Sequence, residues 1–171
     1  MNFEYSDEQK SIQQNFRNFC QKEIAPRAQL LDQADKDSVN TLMKENIRKV
    51  ASIGYIGMWH EEKWGGTRLD LISQAVAGEE IARACASTFL SAGASAGLFG
   101  IPVRLFGSEE QKKKYLPKII SGEMVGCFGL TEPEAGSDAA GIRTVAVKKG
   151  DKWVINGTKT FITNAPIADA F

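Results

Sequence analysis

Several things are scarce in this chain of 171 residues. There is one histidine, His60, and three cysteines, Cys20, Cys85 and Cys127, spaced far apart. One histidine excludes most Ser/His and Cys/His catalytic arrangements. The cysteine positions have no ligand spacing, so no metal site is expected. Odd in number and set in apolar surroundings, the three thiols read as buried and reduced. Net charge is also lacking: 21 Lys and Arg balance 21 Asp and Glu. That balance gives no electrostatic case for nucleic acid or an anionic membrane as partner. The only basic run, Lys112-Lys113-Lys114, lies beside Glu109 and Glu110 and reads as a solvated helix face. Neither a GxGxxG nor a Walker loop occurs, so nicotinamide and ATP binding have no support. The acidic opening Met1–Asp7 has no apolar core of a secretory signal and is not Arg-rich like a transit peptide. No apolar run approaches the roughly 18 residues that span a bilayer. A cytoplasmic protein is the expectation.

What is present is an ordinary globular composition, 43% hydrophobic and 25% charged, arranged first in helical and then in alternating patterns. Ser6-x-x-Gln9 is a capping box opening a helix with Ile12, Phe16, Phe19 and Cys20 on one face, which Pro26 ends or kinks. Leu42, Met43, Ile47, Val50 and Ala51 make a second stripe that closes near Gly54. Asp70 caps a third helix carrying Ile72, Val76, Ala77 and Ile81. A fourth, from about Thr88 to Phe106, is apolar on nearly every face and reads as the buried central helix, bent at Pro102 and stopped at Gly107. Ser108-x-x-Gln111 opens a fifth, through Tyr115 and Leu116 to Gly122.

From residue 123 the period changes to two. Met124–Leu130 reads as a short apolar strand, and Ile142–Lys148 as another. Lys149-Gly150-Asp151 reads as a turn, with Trp153–Ile155 as a strand beyond it. Asn156-Gly157 carries a type I′ hairpin signal, with Thr158–Thr163 as the returning strand. The expected fold class is α+β: an N-terminal all-α bundle over 1–122, followed over 123–171 by the start of an antiparallel β-domain.

The densest chemistry is Leu130-Thr131-Glu132-Pro133-Glu134-Ala135-Gly136-Ser137-Asp138. Ala135 and Gly136 carry almost no side chain, so backbone N–H groups and the Ser137 hydroxyl can approach a phosphate or a polar ring edge. Glu132, Glu134 and Asp138 are either a general base or turn-capping acids, the latter being the commoner use. Phe161-Ile162-Thr163-Asn164 follows, with an aromatic and a hydroxyl two apart. Trp153 reads as sheet core, Phe161 as functional because Thr163 accompanies it. His60 reads as a surface or interhelical residue, and Gly65-Gly66 as a tight loop between helices.

These two segments resemble the flavin-holding loop and strand of the acyl-CoA dehydrogenase family. The resemblance extends to Phe3-x-x-Ser6-x-Glu8-Gln9, Trp64-Gly65-Gly66, Gly100-Ile101-Pro102, the run from Gly107 to Pro117, Gly122-Glu123 and Asn156-Gly157-x-Lys159. It implies FAD as cofactor. Phe128 to Ser137 would line it, Gly136 included. The backbone near Leu130 and the Thr131 hydroxyl would meet the N1/O2 edge. Ser137 would meet both the pyrophosphate and the acyl-CoA. Phe161 would pack on the isoalloxazine with Ile162 beside it, and Thr163 would bond near N5. The resemblance further implies α,β-desaturation of an acyl-CoA, electron-transferring flavoprotein as acceptor and a homotetramer. The family's catalytic glutamate belongs to a C-terminal helical domain that no residue here matches, so the chain reads as part of a longer polypeptide. A monooxygenase or oxidase on the same fold, or a non-catalytic fragment, remains open. The small-residue run Ser91–Gly97 either packs helices closely or leaves room for a short-to-medium or branched acyl tail.

Overall fold

A computed structural model describes residues 4–171; Phe3 lies outside them. Seven α-helices are described: α1 (Asp7–Glu23), α2 (Ala25–Gln33), α3 (Lys36–Ser52), α4 (Leu71–Ala84), α5 (Ala86–Gly93), α6 (Ile101–Phe106) and α7 (Glu109–Ile120). The starts are set by local chemistry. Ser6 and Ser108 each accept from the N–H three residues on while Gln9 and Gln111 bond back, completing two capping boxes. Asp70 accepts from Ile72 and Ser73. Pro26 stands in the first turn of α2 rather than ending α1 by itself, because a missing N–H costs nothing there.

The bundle closes around Phe16, Cys20, Ile24, Ile47, Val50, Tyr55, Ile56, Ile81 and Ile119. Tyr55 takes the edge of both Phe16 and Trp59, with centroids 6.2 and 4.8 Å away. The three cysteines are free and buried, and burial pushes the Cys20 thiol up to about 11. Ile72, assigned to the core stripe of α4, is exposed instead; Val76, Ala77 and Ile81 carry that face. Of the two places open to His60, the interhelical one holds: it is fully buried and lies against Gly100 of the central helix. Burial, and then Arg104, push its pKa down to about 4, so the ring is neutral near pH 7.

The expected fourth helix is continuous from α5 to α6, but through a wide π-helical stretch, Ala94–Gly100, that ends two residues before Pro102. Such a turn offers an i→i+5 pattern where the proline ring would collide with a normal α-helical carbonyl. Ala92, Ala94, Ser95 and Ala96 are buried, whereas Leu90, Leu98, Leu105 and Phe106 are exposed, so the helix is central on one face only. At 21 residues, Ala86–Phe106 is long and apolar enough to cross a membrane by length and composition, with 33% of its most apolar stretch buried. This corrects the expectation that no run approaches that length. The segment carries Arg104 and packs on α3, α4 and α7, as the core helix of a bundle does.

Beyond α7 the chain forms one antiparallel hairpin, β1 (Val145–Lys149) with β2 (Lys152–Asn156), in register Val145↔Asn156 to Lys149↔Lys152. Its two-residue turn is Gly150-Asp151, with Gly150 at φ 60°. Four expectations fail here. Met124–Leu130 forms no strand and makes only one bridge, Gly126↔Ala170, parallel. Ile142–Thr144 stay outside β1 because a carboxylate takes the Arg143 and Thr144 N–H groups. Asn156-Gly157 makes no hairpin and Thr158–Thr163 no strand: a Cβ at Gly157 would lie 2.1 Å from Thr144 Oγ1, and residues 159 and 160 are tied elsewhere. Trp153 is 63% exposed rather than core, because no second layer packs on the hairpin within the described residues.

Candidate functional site

Glu132 organises the densest part of the sequence. Its backbone exchanges two hydrogen bonds with Ala135, closing Pro133-Glu134 into a tight turn. Its buried carboxylate accepts from the Arg143 N–H at 2.6 Å, the Thr144 N–H at 3.0 Å and Lys159 Nζ at 2.8 Å. Lys159 most of all, with Thr144 and the Arg143 N–H, holds the carboxyl down at about 2. A carboxylate this strongly held and this fully engaged is a structural clasp and no general base. Glu134 and Asp138 are exposed, and the Asp138 carbonyl accepts from Gly141 N–H at 3.0 Å.

A folded-state pKa below the ordinary value near 4.3 means stability that is full above that value and lost as pH falls toward 2. Protection of the Arg143 and Thr144 amides, taken as exchange relative to the intrinsic rate at each pH, should therefore fall between about pH 4.3 and pH 2. Protection that is constant across that window would show that the clasp carries no load.

The clasp joins the two sequence motifs. Lys159 Nζ also donates to the Leu130 carbonyl at 2.8 Å, and Thr160 N–H donates to the Thr131 carbonyl at 2.9 Å. Leu130 and Thr131 thereby lie alongside the segment that runs into Phe161. Phe128 and Leu130 are exposed, Thr131 half-buried. Phe161 is 91% exposed and adopts a left-handed backbone, φ 55°, on an irregular segment rather than the expected strand. A non-glycine residue pays about 1–2 kcal/mol for that conformation, and here it presents a bare aromatic ring. Ile162 is half-buried, and its carbonyl receives Ala165 N–H at 3.2 Å. Thr163 is exposed and lines a cavity of about 280 Å³ with Leu90, Ser91 and Asn164. Gly136 and Ser137 lie exposed beyond the Glu132–Ala135 turn. A Cβ at Gly136 would meet nothing within 4 Å, and no hydrogen bond ties either residue to the 159–163 segment.

Sequence reasoning passed over two residues that fix this surface to the bundle and a third that joins its two motifs. Asn164, buried and at φ 72°, donates to the Ser91 carbonyl at 2.8 Å and the Gly126 carbonyl at 3.1 Å, and accepts from the Ser91 hydroxyl. Ser95, in the π-helical stretch, receives Gly126 N–H at 3.0 Å. Lys159 is the third. Each stood inside a quoted motif, and for Ser95 a short polar residue between apolar neighbours was the available signal.

The surface so built has apolar and aromatic faces (Phe128, Leu130, Phe161) next to polar groups (Thr131, Thr163). It suits a flat ring with apolar faces and a hydrogen-bonding edge.

The family model for the acyl-CoA dehydrogenase N-terminal domain matches residues 6–123, and that for the middle domain matches 127–171. A probable acyl-CoA dehydrogenase of Bacillus subtilis is 44% identical over 168 residues, covering 98% of this chain and 43% of its own length. A short-chain-specific acyl-CoA dehydrogenase of Clostridium acetobutylicum is 37% identical over 171 residues, covering 100% of this chain and 44% of its own length. An acyl-CoA dehydrogenase of Bacillus anthracis solved with FAD superposes with a TM-score of 0.84 at 38% identity, covering 97% of this chain and 28% of that one. The chain thus spans less than half the length of these relatives, and it belongs to the acyl-CoA dehydrogenase family.

Proposed function

We propose that this chain supplies the N-terminal helical domain (1–122) and the first part of the middle β-domain (123–171) of an FAD-dependent enzyme that desaturates an acyl-CoA thioester between Cα and Cβ. The observation that carries this reading is the pair of ties from Lys159 and Thr160 to Leu130 and Thr131, which fuse the two motifs into one surface with its ring-facing groups outward. FAD, when bound, would take the hydride. The chain's part is to hold it: Phe161, Phe128 and Leu130 against the ring, with Ile162 supporting, Thr131 and Thr163 at its polar edges, and Gly136 and Ser137 at the pyrophosphate and acyl-CoA. The proton-abstracting glutamate would come from sequence outside this chain. Electrons would pass to electron-transferring flavoprotein, the assembly would be a homotetramer, and the cytoplasm would be its location.

For the acyl group we propose a short-to-medium or branched chain. The Clostridium relative, named as short-chain specific, supports this. The small residues of the central helix do not, since Ser91, Ala92, Ala94, Ser95 and Ala96 are spent on close packing.

The test is the anaerobic visible spectrum of the full-length enzyme before and after addition of butyryl-CoA, isovaleryl-CoA or palmitoyl-CoA. A yellow protein bleached by the first two supports the proposal. Absence of flavin after reconstitution would refute it, preference for palmitoyl-CoA would refute the chain length, and rapid reoxidation by air would indicate an oxidase or monooxygenase.

Phe161 separates holding from folding. Phe161→Gly should raise stability by about 1 kcal/mol by relieving the left-handed backbone, and it should weaken FAD binding at least tenfold. Thermal unfolding and an FAD titration read the two effects independently.

A further inference from the structure

Lys159 makes two contacts with one ammonium, and the second is the informative one. Pairing with Glu132 alone would balance a buried carboxylate. The 2.8 Å bond to the Leu130 carbonyl instead fixes the plane of the Leu130–Thr131 peptide. A trans peptide directs its C=O and N–H to opposite sides. With the carbonyl turned toward Lys159, the Thr131 N–H faces the other way, and it has no hydrogen-bond partner among the described residues. The Thr131 carbonyl is committed to Thr160, so the peptide on the other side of Thr131 is fixed as well. Thr131 is therefore pinned on both flanks with one donor left free.

The charge matters in addition to the geometry. A cation bonded to a carbonyl withdraws density through the amide and strengthens the N–H as a donor, because linked hydrogen bonds polarise one another. The same cation neutralises Glu132, which would otherwise stand as a buried negative charge two residues from Leu130. Both effects favour added negative charge on the far side of the peptide.

We propose that Lys159 is a positioning residue: through the Leu130 carbonyl it presets and polarises the Thr131 N–H as a donor for the electron-rich edge of the reduced cofactor. This rests on the FAD reading above. Lys159 touches neither cofactor nor substrate; it acts through a peptide and a neighbouring carboxylate.

The experiment uses the full-length flavin-loaded enzyme, with the flavin midpoint potential as primary readout and the FAD dissociation constant, kcat and KM alongside. Lys159→Met should make the potential more negative and lower kcat about tenfold, with KM for the acyl-CoA within about twofold. Lys159→Arg, which keeps the charge, should restore most of the potential. Glu132→Gln alone should make the potential more positive than wild type, since the ammonium is then uncompensated. The double variant Lys159→Met/Glu132→Gln should lie between Lys159→Met and wild type. A merely structural role would give Lys159→Met and Glu132→Gln potential shifts of the same sign or none at all, since removing either partner breaks the same pair, and that result would overturn the proposal. So would an unchanged potential in a flavin-loaded Lys159→Met. Where Lys159→Met does not load with flavin, Glu132→Gln and Lys159→Arg decide by the signs given. A wild-type enzyme that binds no FAD would refute the functional reading itself, and that outcome is separate from any result on the variants.

Discussion

Replacing Asn164 by alanine should destabilise the protein by about 3–5 kcal/mol and detach the Phe161 segment from the helical bundle. Its amide serves two carbonyls, at Ser91 and Gly126, and its oxygen serves the Ser91 hydroxyl. All of these are buried, and each group left without a partner costs about 1–3 kcal/mol. The left-handed backbone at φ 72° adds about 1 kcal/mol for alanine, where asparagine is among the few side chains that tolerate it. Asn164→Gly isolates the hydrogen bonds from the backbone cost and should be less damaging than alanine by about 1 kcal/mol. Asn164→Asp should be worse at neutral pH, because a carboxylate oxygen would then face two carbonyl oxygens, and should recover as pH falls. Urea unfolding of the three variants checks the ranking. Equal effects from alanine and glycine would remove the backbone from the account. Aspartate as good as asparagine would mean the amide donors do not matter.

Gly66→Ala should cost about 3 kcal/mol, the upper end for overpacking. A Cβ there would lie 2.1 Å from the His60 carbonyl oxygen, 2.5 Å from its carbon and 2.7 Å from the Gly57 carbonyl oxygen. All three are backbone atoms in a loop cross-linked by Thr67 N–H to Gly57 O at 2.9 Å and Leu69 N–H to Met58 O at 3.1 Å, so none can step aside alone. Gly65 is the control. It has φ 92° and nothing within 4 Å of where a methyl would sit, so Gly65→Ala meets only backbone strain, about 1–2 kcal/mol. Equal losses at the two positions, in thermal unfolding, would show that the close approach at Gly66 is relieved.

The helical part was legible because its signals are local. Ser6, Asp70 and Ser108 act within three residues, and the stripes at Val76, Ala77 and Ile81 or Ile47 and Val50 repeat at the helical period. The β part was misread where a distant partner overrides local preference. Asn156-Gly157 is a strong hairpin signal, yet Thr144 fills the space on Gly157, while Lys159 and Thr160 are drawn to Leu130 and Thr131, 29 residues back. Glu132 takes the N–H groups that would have extended β1 by two residues. The burial of His60 and the exposure of Trp153 both turn on what covers the side chain. His60 is covered by Gly100, whose missing side chain leaves room for the ring, while Trp153 has nothing among the described residues to cover it. The site was legible as two motifs, but not the clasp of Glu132 and Lys159 that joins them, since one salt bridge over 27 residues leaves no periodicity.

The π-helical stretch gives the central helix a length arithmetic of its own. Every residue inserted into or removed from an α-helix turns all that follows by about 100° and shifts it by about 1.5 Å. Between Ala94 and Gly100 the chain holds a surplus residue in reserve. Deleting one residue there would regularise the helix, so the bundle could still close, but Ser95 and Phe99 would rotate relative to each other. Ser95 holds Gly126, and Phe99 packs where a Gly126 side chain would lie, 2.4 Å from its Cβ position. A single-residue deletion, ordinarily the coarsest of changes, would here leave the helical half standing and uncouple it from the half that carries Leu130 and Phe161. Insertions and deletions in this stretch are therefore a means of re-aiming one domain against the other without touching a side chain of the candidate site.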